Sequence, residues 1–337
     1  MIGLLYASNS WDAPAGMLLV VGGIALGSRF DWRIVARDTA VVVVGALVAA
    51  APFIAQFNAP VGVTNADLPG WLTDLPLLGR LFSTFGIVTW RPSSVRELLV
   101  VHGVWLAAFA GFAAIELWRD RSLVARIRRG QPLWLAGAIL TLGVAMAWAP
   151  AIAVLGAPLL LATWQAARGQ GGARVIAGLF AIGFLLALVP EFVFIQDVFA
   201  DRMNTVFKLY FQAWLLLSLA SAAGVAHIFR QAPPRAHVPA AATAVVVVAA
   251  ALTYLPLSAQ DWTNDFDARR GLDGGAYIDR VAPGEYAAIQ WLSRHANPGD
   301  AVVEAPGCSY INVAGLPTSR LSAFSGVPTL VGWWGHE

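Results

Sequence analysis

Asp201-Arg202-Met203-Asn204-Thr205-Val206-Phe207-Lys208-Leu209-Tyr210-Phe211-Gln212-Ala213-Trp214-Leu215-Leu216-Leu217 opens on polar and charged side chains and runs without a break into an apolar helix. The apolar run, 205–228, is long enough to cross a hydrocarbon core of about 30 Å. At about 100° per residue, Asp197, Asp201, Asn204, Lys208 and Gln212 fall within a sector of about 80°, so they form one polar stripe on an otherwise greasy rod. An ionisable group at membrane depth costs about 2.5 to 3.5 kcal/mol. Such a stripe must face protein or water, which requires further helices around it.

Those helices are legible in the hydropathy. The 337 residues are 58% hydrophobic and 12% charged, with a mean hydropathy of +0.65, which excludes an ordinary water-soluble globule. Apolar spans fall at 14–28, 39–57, 97–117, 132–148, 151–167, 175–193, 205–228 and 238–257, with a short apolar stub at 1–7. The expected fold is an all-α polytopic membrane protein of about eight transmembrane helices over 1–258, with an α/β segment over 259–337 that reads as truncated.

Arginine sets the expected orientation. The breaks holding Arg29/Arg33/Arg37, Arg119 to Arg129, Arg168/Arg174 and Arg230/Arg235 alternate with breaks poor in base, so they belong on the cytoplasmic side. This puts Asn9 to Pro14, the 58–96 segment, the acidic stretch from Glu191 and the C-terminal tail outside, in a multi-pass protein of the cell membrane. Within 58–96, Leu68, Leu72, Leu78, Leu81, Phe82 and Phe85 suit a helix lying in the interface plane. In the tail, Tyr286, Ile289 and Leu292 make the apolar side of a helix over 285–296, a turn at 297–300 leads to a strand at 301–305, and 320–324 and 329–333 are strand-like.

Net charge is +2 with the arginines dispersed among loops, which argues against a nucleic-acid partner, and the single Cys308 excludes an intrachain disulfide or a multi-cysteine zinc site. The chemistry-bearing residues gather on the outer side. Arg202 and Lys208 suit a phosphate, while Glu191, Asp197 and Asp201 suit a sugar hydroxyl or a divalent metal such as magnesium or manganese. Trp11 and Asp12 precede Pro14 at an outer helix start, where an interface anchor and an N-cap are the bland alternatives. His102 is a lone intramembrane histidine, expected to be a hydrogen-bonded packing residue, and Glu116 snorkels at a helix end. Walker, Rossmann, HExxH and GxSxG signatures are missing from the sequence.

Asn9-x-Trp11-Asp12-x-Pro14, Asp201-Arg202-Met203-Asn204-Thr205-x-Phe207-Lys208 with Gln212-Ala213-Trp214, Leu272-Asp273-Gly274, Glu304-x-x-Gly307-x-Ser309-Tyr310 and Gly332-Trp333-x-x-His336-Glu337 resemble, in that order, the Chlor_Arch_YYY membrane proteins of archaea and Chloroflexi. That family looks like a relative of the GT-C glycosyltransferases, which use polyprenyl-phosphate-linked sugars at the outer membrane face. The Tyr-Tyr-Tyr and Asp-Leu-His motifs of its upstream half do not occur here, so the resemblance is to a C-terminal portion.

The resemblance implies a membrane glycosyltransferase portion; with the reading of the acidic residues above, the candidate catalytic acids are Asp201 and Asp12, which lie in the matching motifs, and Asp197 and Glu191. Arg202, Asn204, Lys208, Gln212, Trp11, Glu304, Tyr310 and His336 would bind the substrate, a membrane lipid bearing a polyprenyl-phosphate sugar. Two other classes fit the same stripe: a transporter or flippase of lipid-linked or anionic solutes, and an envelope scaffold.

Overall fold

The computed structural model of the chain describes residues 1–8, 12–56, 85–89, 91–120, 143, 149–195, 201–266, 274–305, 307–308, 312–313 and 316–334. The chain divides into two compact units, Met1–Leu252 and Thr253–Glu337.

The first unit consists of α1 (Ile2–Ser8), α2 (Asp12–Gly27), α3 (Trp32–Gln56), β1 (Phe85–Ile87), α4 (Val95–Arg119), a π-helical turn (Ile152–Gly156) continued by α5 (Ala157–Arg168), α6 (Gly171–Leu188), β2 (Val193–Ile195), α7 (Met203–Gln231) and α8 (His237–Leu252). Among the described residues, five helical stretches are long and apolar enough to cross a membrane: Trp32–Phe53, Val95–Arg119, Gly171–Glu191, Met203–Gln231 and Pro234–Trp262. Asp12–Gly27 and Ile152–Arg168 are shorter apolar helices, and the expected span at 132–148 lies almost wholly outside the described residues. The chain is an all-α polytopic membrane protein.

Helix α6 occupies the middle of this unit and touches α2, α5 and α7. Its glycines explain the closeness: a Cβ on Gly183 would come within 2.6 Å of Leu217 on α7, and one on Gly178 within 2.7 Å of Leu26 on α2. Phe180 and Phe184 fill the space this leaves, edge-on to Phe109 of α4 at 5.1 and 5.3 Å, over a layer of alanines from α5 and α7. In a bilayer no hydrophobic force distinguishes helix from lipid, so small residues that allow dense packing hold such a core. By contrast, α3 and α8 bury almost nothing and present valine and leucine outward, as lipid-facing helices do.

Phe85 does not continue an interface helix. Its main chain pairs with Ile195 in the antiparallel β1–β2 ladder, where Gly86 lies against the Phe194 ring; residues 57–84 lie outside the described residues.

The second unit holds α9 (Tyr254–Trp262), α10 (Ala276–Val281), α11 (Pro283–His295), β3 (Gly307–Cys308), β4 (Asn312–Val313), β5 (Leu316–Pro317), α12 (Arg320–Ser325) and β6 (Trp333–Trp334). Helix α11 buries Ile289 against Ile278 and Leu316, as its apolar side requires. Strands β3 and β6 pair in parallel, as do Val302 and Thr329, giving the α/β character read from the sequence. Residues 320–325 are helical rather than extended. Glu304 accepts from Leu321 N at 3.1 Å and Ser322 N at 3.0 Å, satisfying amides that a helix start leaves open, while Arg320 is drawn to Glu285 of α11.

Candidate functional site

Alternate ends of the helices sort the charged groups of the first unit. The starts of α2, α4 and α7 and the end of α6 bring together Asp12, Ser93, Glu191, Asp201, Arg202, Lys208 and Gln212.

Glu191 follows α6 in a single 3-10 turn, Val189–Glu191, and its side chain is 1% exposed. Three donors stabilise the buried charge: Arg202 Nη1 at 3.0 Å, Ser93 N at 3.1 Å and Ser93 Oγ at 2.9 Å. Arg202 also donates to the Pro190 carbonyl at 3.1 Å and to Ser93 Oγ at 3.0 Å. This closed cluster ties the segment before α4 to those on either side of β2, and Thr205 adds a further tie by accepting from Ile195 N at 2.9 Å.

Helix α7 begins at Met203, so Asn204, Lys208 and Gln212 keep the helical spacing of the expected stripe, whereas Asp201 precedes the helix. Asp201 is exposed and accepts from Met203 N at 2.7 Å, the role of a residue that closes a helix start. Gln212 donates to Asp12 Oδ1 at 2.8 Å, joining the stripe to the first turn of α2. Lys208, one turn before Gln212, is half-buried; its ammonium lies 5.5 Å from the Phe207 ring centroid, and among the described residues it has no carboxylate within ion-pair distance. A half-buried cation without a counter-charge is a ready site for an anion.

His102 of α4 is fully buried against Tyr210 at 4.8 Å and Trp105 at 6.0 Å, and both its ring nitrogens lack a hydrogen-bond partner. Packing is as expected; the expected hydrogen bond is not found among the described residues. Glu116 does not snorkel alone: His227 of α7 reaches its Oε1 at 2.8 Å and Arg119 at 3.0 Å.

Trp11, Asp197, Tyr310 and His336 lie outside the described residues, and Glu304 caps α12 in the second unit. Among the described residues, no three His, Cys, Asp or Glu side chains assemble into a metal-binding group. Ser93 was not anticipated. The Ser94-Val-Arg-Glu97 capping box beside it, with Ser94 N donating to Glu97 Oε2 at 2.6 Å, was a legible helix start, but nothing local points from Ser93 to Glu191, 98 residues away.

No curated protein and no solved structure matches the chain. The model of an uncharacterized membrane protein family, DUF2298, matches residues 1–217, more than half of the chain, which therefore belongs to that family.

Proposed function

We propose that the chain is the C-terminal portion of a Chlor_Arch_YYY-type, GT-C-like membrane glycosyltransferase that acts on a polyprenyl-phosphate-linked sugar at the outer face of the cell membrane. The observation that carries this reading is the junction of Asp12, Gln212 and Lys208: a carboxylate held by an amide, one helical turn from an ammonium that has no carboxylate within ion-pair distance among the described residues. In the reaction, an acceptor hydroxyl gives its proton to Asp12 as its oxygen attacks C1 of the donor sugar. The C1–O bond to phosphate breaks, and polyprenyl phosphate leaves with the electron pair, its growing negative charge stabilised by Lys208. Asp201 contacts the acceptor from the rim. Arg202 and Glu191 position the segments that carry these groups. Among the described residues the carboxylates of this end with capacity to spare are Asp12 and Asp201, fewer than the three ligands of a metal-binding group.

An apolar groove of about 670 Å3 between α4, α7 and α8, lined by Trp105, Gly111, Ser218, Ala222, Ile228 and Val247 among others, supports a lipid-linked donor. It starts about 15 Å along α7 from Lys208, at about 1.5 Å per residue, a distance an isoprenoid chain spans readily. Positive-inside asymmetry supports the orientation, since Arg119, Arg168, Arg174 and Arg230 all lie at the opposite helix ends.

The test is transfer of sugar from a polyprenyl-phosphate donor by the full-length parent in membranes. Lys208→Ala and Asp201→Asn should lower the rate, Lys208→Ala by about a hundredfold or more, the loss typical of removing one transition-state charge contact. Unchanged transfer in both overturns the reading. Movement of the intact donor across the bilayer without bond cleavage would identify a flippase instead.

A further inference from the structure

The arginine-rich end of the first unit holds a second polar cavity that has no part in the proposed reaction. A cleft of about 620 Å3 lies where the last turns of α4, α5 and α7 meet the first turn of α6, and Glu116, Arg119, Gln165, Arg168, His227 and Arg230 line it. That volume is within the range of small-molecule sites, about 300 to 1,000 Å3.

Side chains of two kinds line it. Glu116 ties α4 to α7 through His227. Beside them Gln165, 5% exposed, donates its amide to the Ala113 carbonyl at 3.3 Å and leaves Oε1 without a partner among the described residues, an unmet acceptor of the sort that buried side chains rarely retain. Arg168 and Arg230, one turn on from Gln165 and His227, are exposed and have no carboxylate within ion-pair distance among the described residues. Arg168 rests over the Trp164 ring at 5.3 Å, which holds the guanidinium plane while leaving its N–H edge available.

Gly172 and Ala173, also in the lining, belong to the start of α6, which has no side-chain cap and is entered through Gly171 at φ 54°. Open amide donors at a helix N-terminus favour an anion. Arg174, by contrast, is occupied by the carbonyls of Gly169 and Leu26 at 2.9 and 3.2 Å.

We propose that this cleft binds a phosphodiester headgroup that carries hydroxyl or ammonium donors. Arg168, Arg230 and the α6 amides take the phosphate; Gln165 Oε1 and the Glu116 side take the donors. Three arginines face two carboxylates, Glu116 and Asp120, in the lining, which suits a singly charged diester better than a dianion.

The experiment uses the full chain in nanodiscs of phosphatidylcholine, whose headgroup carries no N–H or O–H donor, and reads the unfolding midpoint as phosphatidylglycerol is titrated in. Wild type should show a saturable rise, and Arg168→Gln/Arg230→Gln, both exposed positions, should weaken it at least about tenfold, the loss of two charge-assisted contacts. Arg33→Gln/Arg37→Gln, exposed positions that do not line the cleft, should leave it unchanged. Competition by soluble glycerophosphoglycerol identifies the headgroup as sufficient; dependence on Arg168 and Arg230 without competition identifies a membrane-anchored lipid. Wild type should also prefer phosphatidylglycerol over phosphatidylmethanol, which lacks the hydroxyls, and Gln165→Leu should abolish that preference. Equal weakening in both double variants, or none in Arg168→Gln/Arg230→Gln, overturns the proposal.

Discussion

The two ends of the helical unit treat arginine in opposite ways. At one end Arg202 is largely enclosed, its guanidinium divided between a buried carboxylate, a hydroxyl and a carbonyl; at the other, Arg168 and Arg230 stand exposed with no carboxylate within ion-pair distance among the described residues. The difference shows that charge does two jobs here. Around Glu191 it fastens chain segments to one another and occupies Arg202, whereas Lys208 has no carboxylate within ion-pair distance among the described residues. Around the cleft it remains open to a ligand.

Breaking the fastening should give the largest effect on stability. Glu191→Gln leaves Arg202 enclosed beside a neutral partner and should cost about 3 to 5 kcal/mol, read as the unfolding midpoint in detergent. The Glu191→Gln/Arg202→Gln double variant should recover part of that loss, because no unpaired charge remains; full additivity would show that the two side chains do not act as a pair. Next comes Thr205→Val, which deprives Ile195 N of its acceptor and should cost about 1 to 3 kcal/mol, with faster hydrogen exchange at Ile195 and little change on α6.

An exposed pair in the second unit sharpens the contrast. Arg320 beside Glu285, which is 41% exposed, holds that carboxyl below the usual carboxylate range. The folded value lies under the unfolded one, about 4.3. The pair's stabilisation is therefore complete above that pH and is lost as pH falls through the folded value. Solvent limits it to about 1 kcal/mol or less. Hydrogen exchange at Leu321 and Ser322 should accelerate across that window in wild type and show a flatter dependence in Glu285→Gln. Smallest of all, Arg230→Gln should change stability by less than about 0.5 kcal/mol, as expected of an exposed side chain outside any network.

How much of this was legible in the sequence depends on the range of each interaction. Hydropathy found α2, α4 and α7 to within a few residues, since an apolar run long enough to span a bilayer has few alternatives. It placed the start of α3 at residue 39 instead of Trp32, because Arg33, Arg37 and Asp38 lower the hydropathy of turns that are helical but polar. Of the expected stripe, the helical spacing of Asn204, Lys208 and Gln212 was legible from periodicity alone, whereas Asp201 precedes the helix and Asp197 lies outside the described residues; Asp12 and Gln212 were each singled out as candidates. Their meeting was not legible, nor was the closure of Glu191 by Ser93 and Arg202, for those partners come from separate helix ends. The helix at 320–325 was misread as extended because its start depends on Glu304, a side chain 17 residues from Leu321.

The division of labour between the two ends is tested most directly by one comparison of rates. In the full-length parent, sugar transfer from a polyprenyl-phosphate donor should fall about a hundredfold or more in Asp12→Asn and in Lys208→Ala, and stay near wild type in Arg230→Gln, with all three variants matched for folded protein. Loss in Arg230→Gln with transfer intact in the other two would contradict the account.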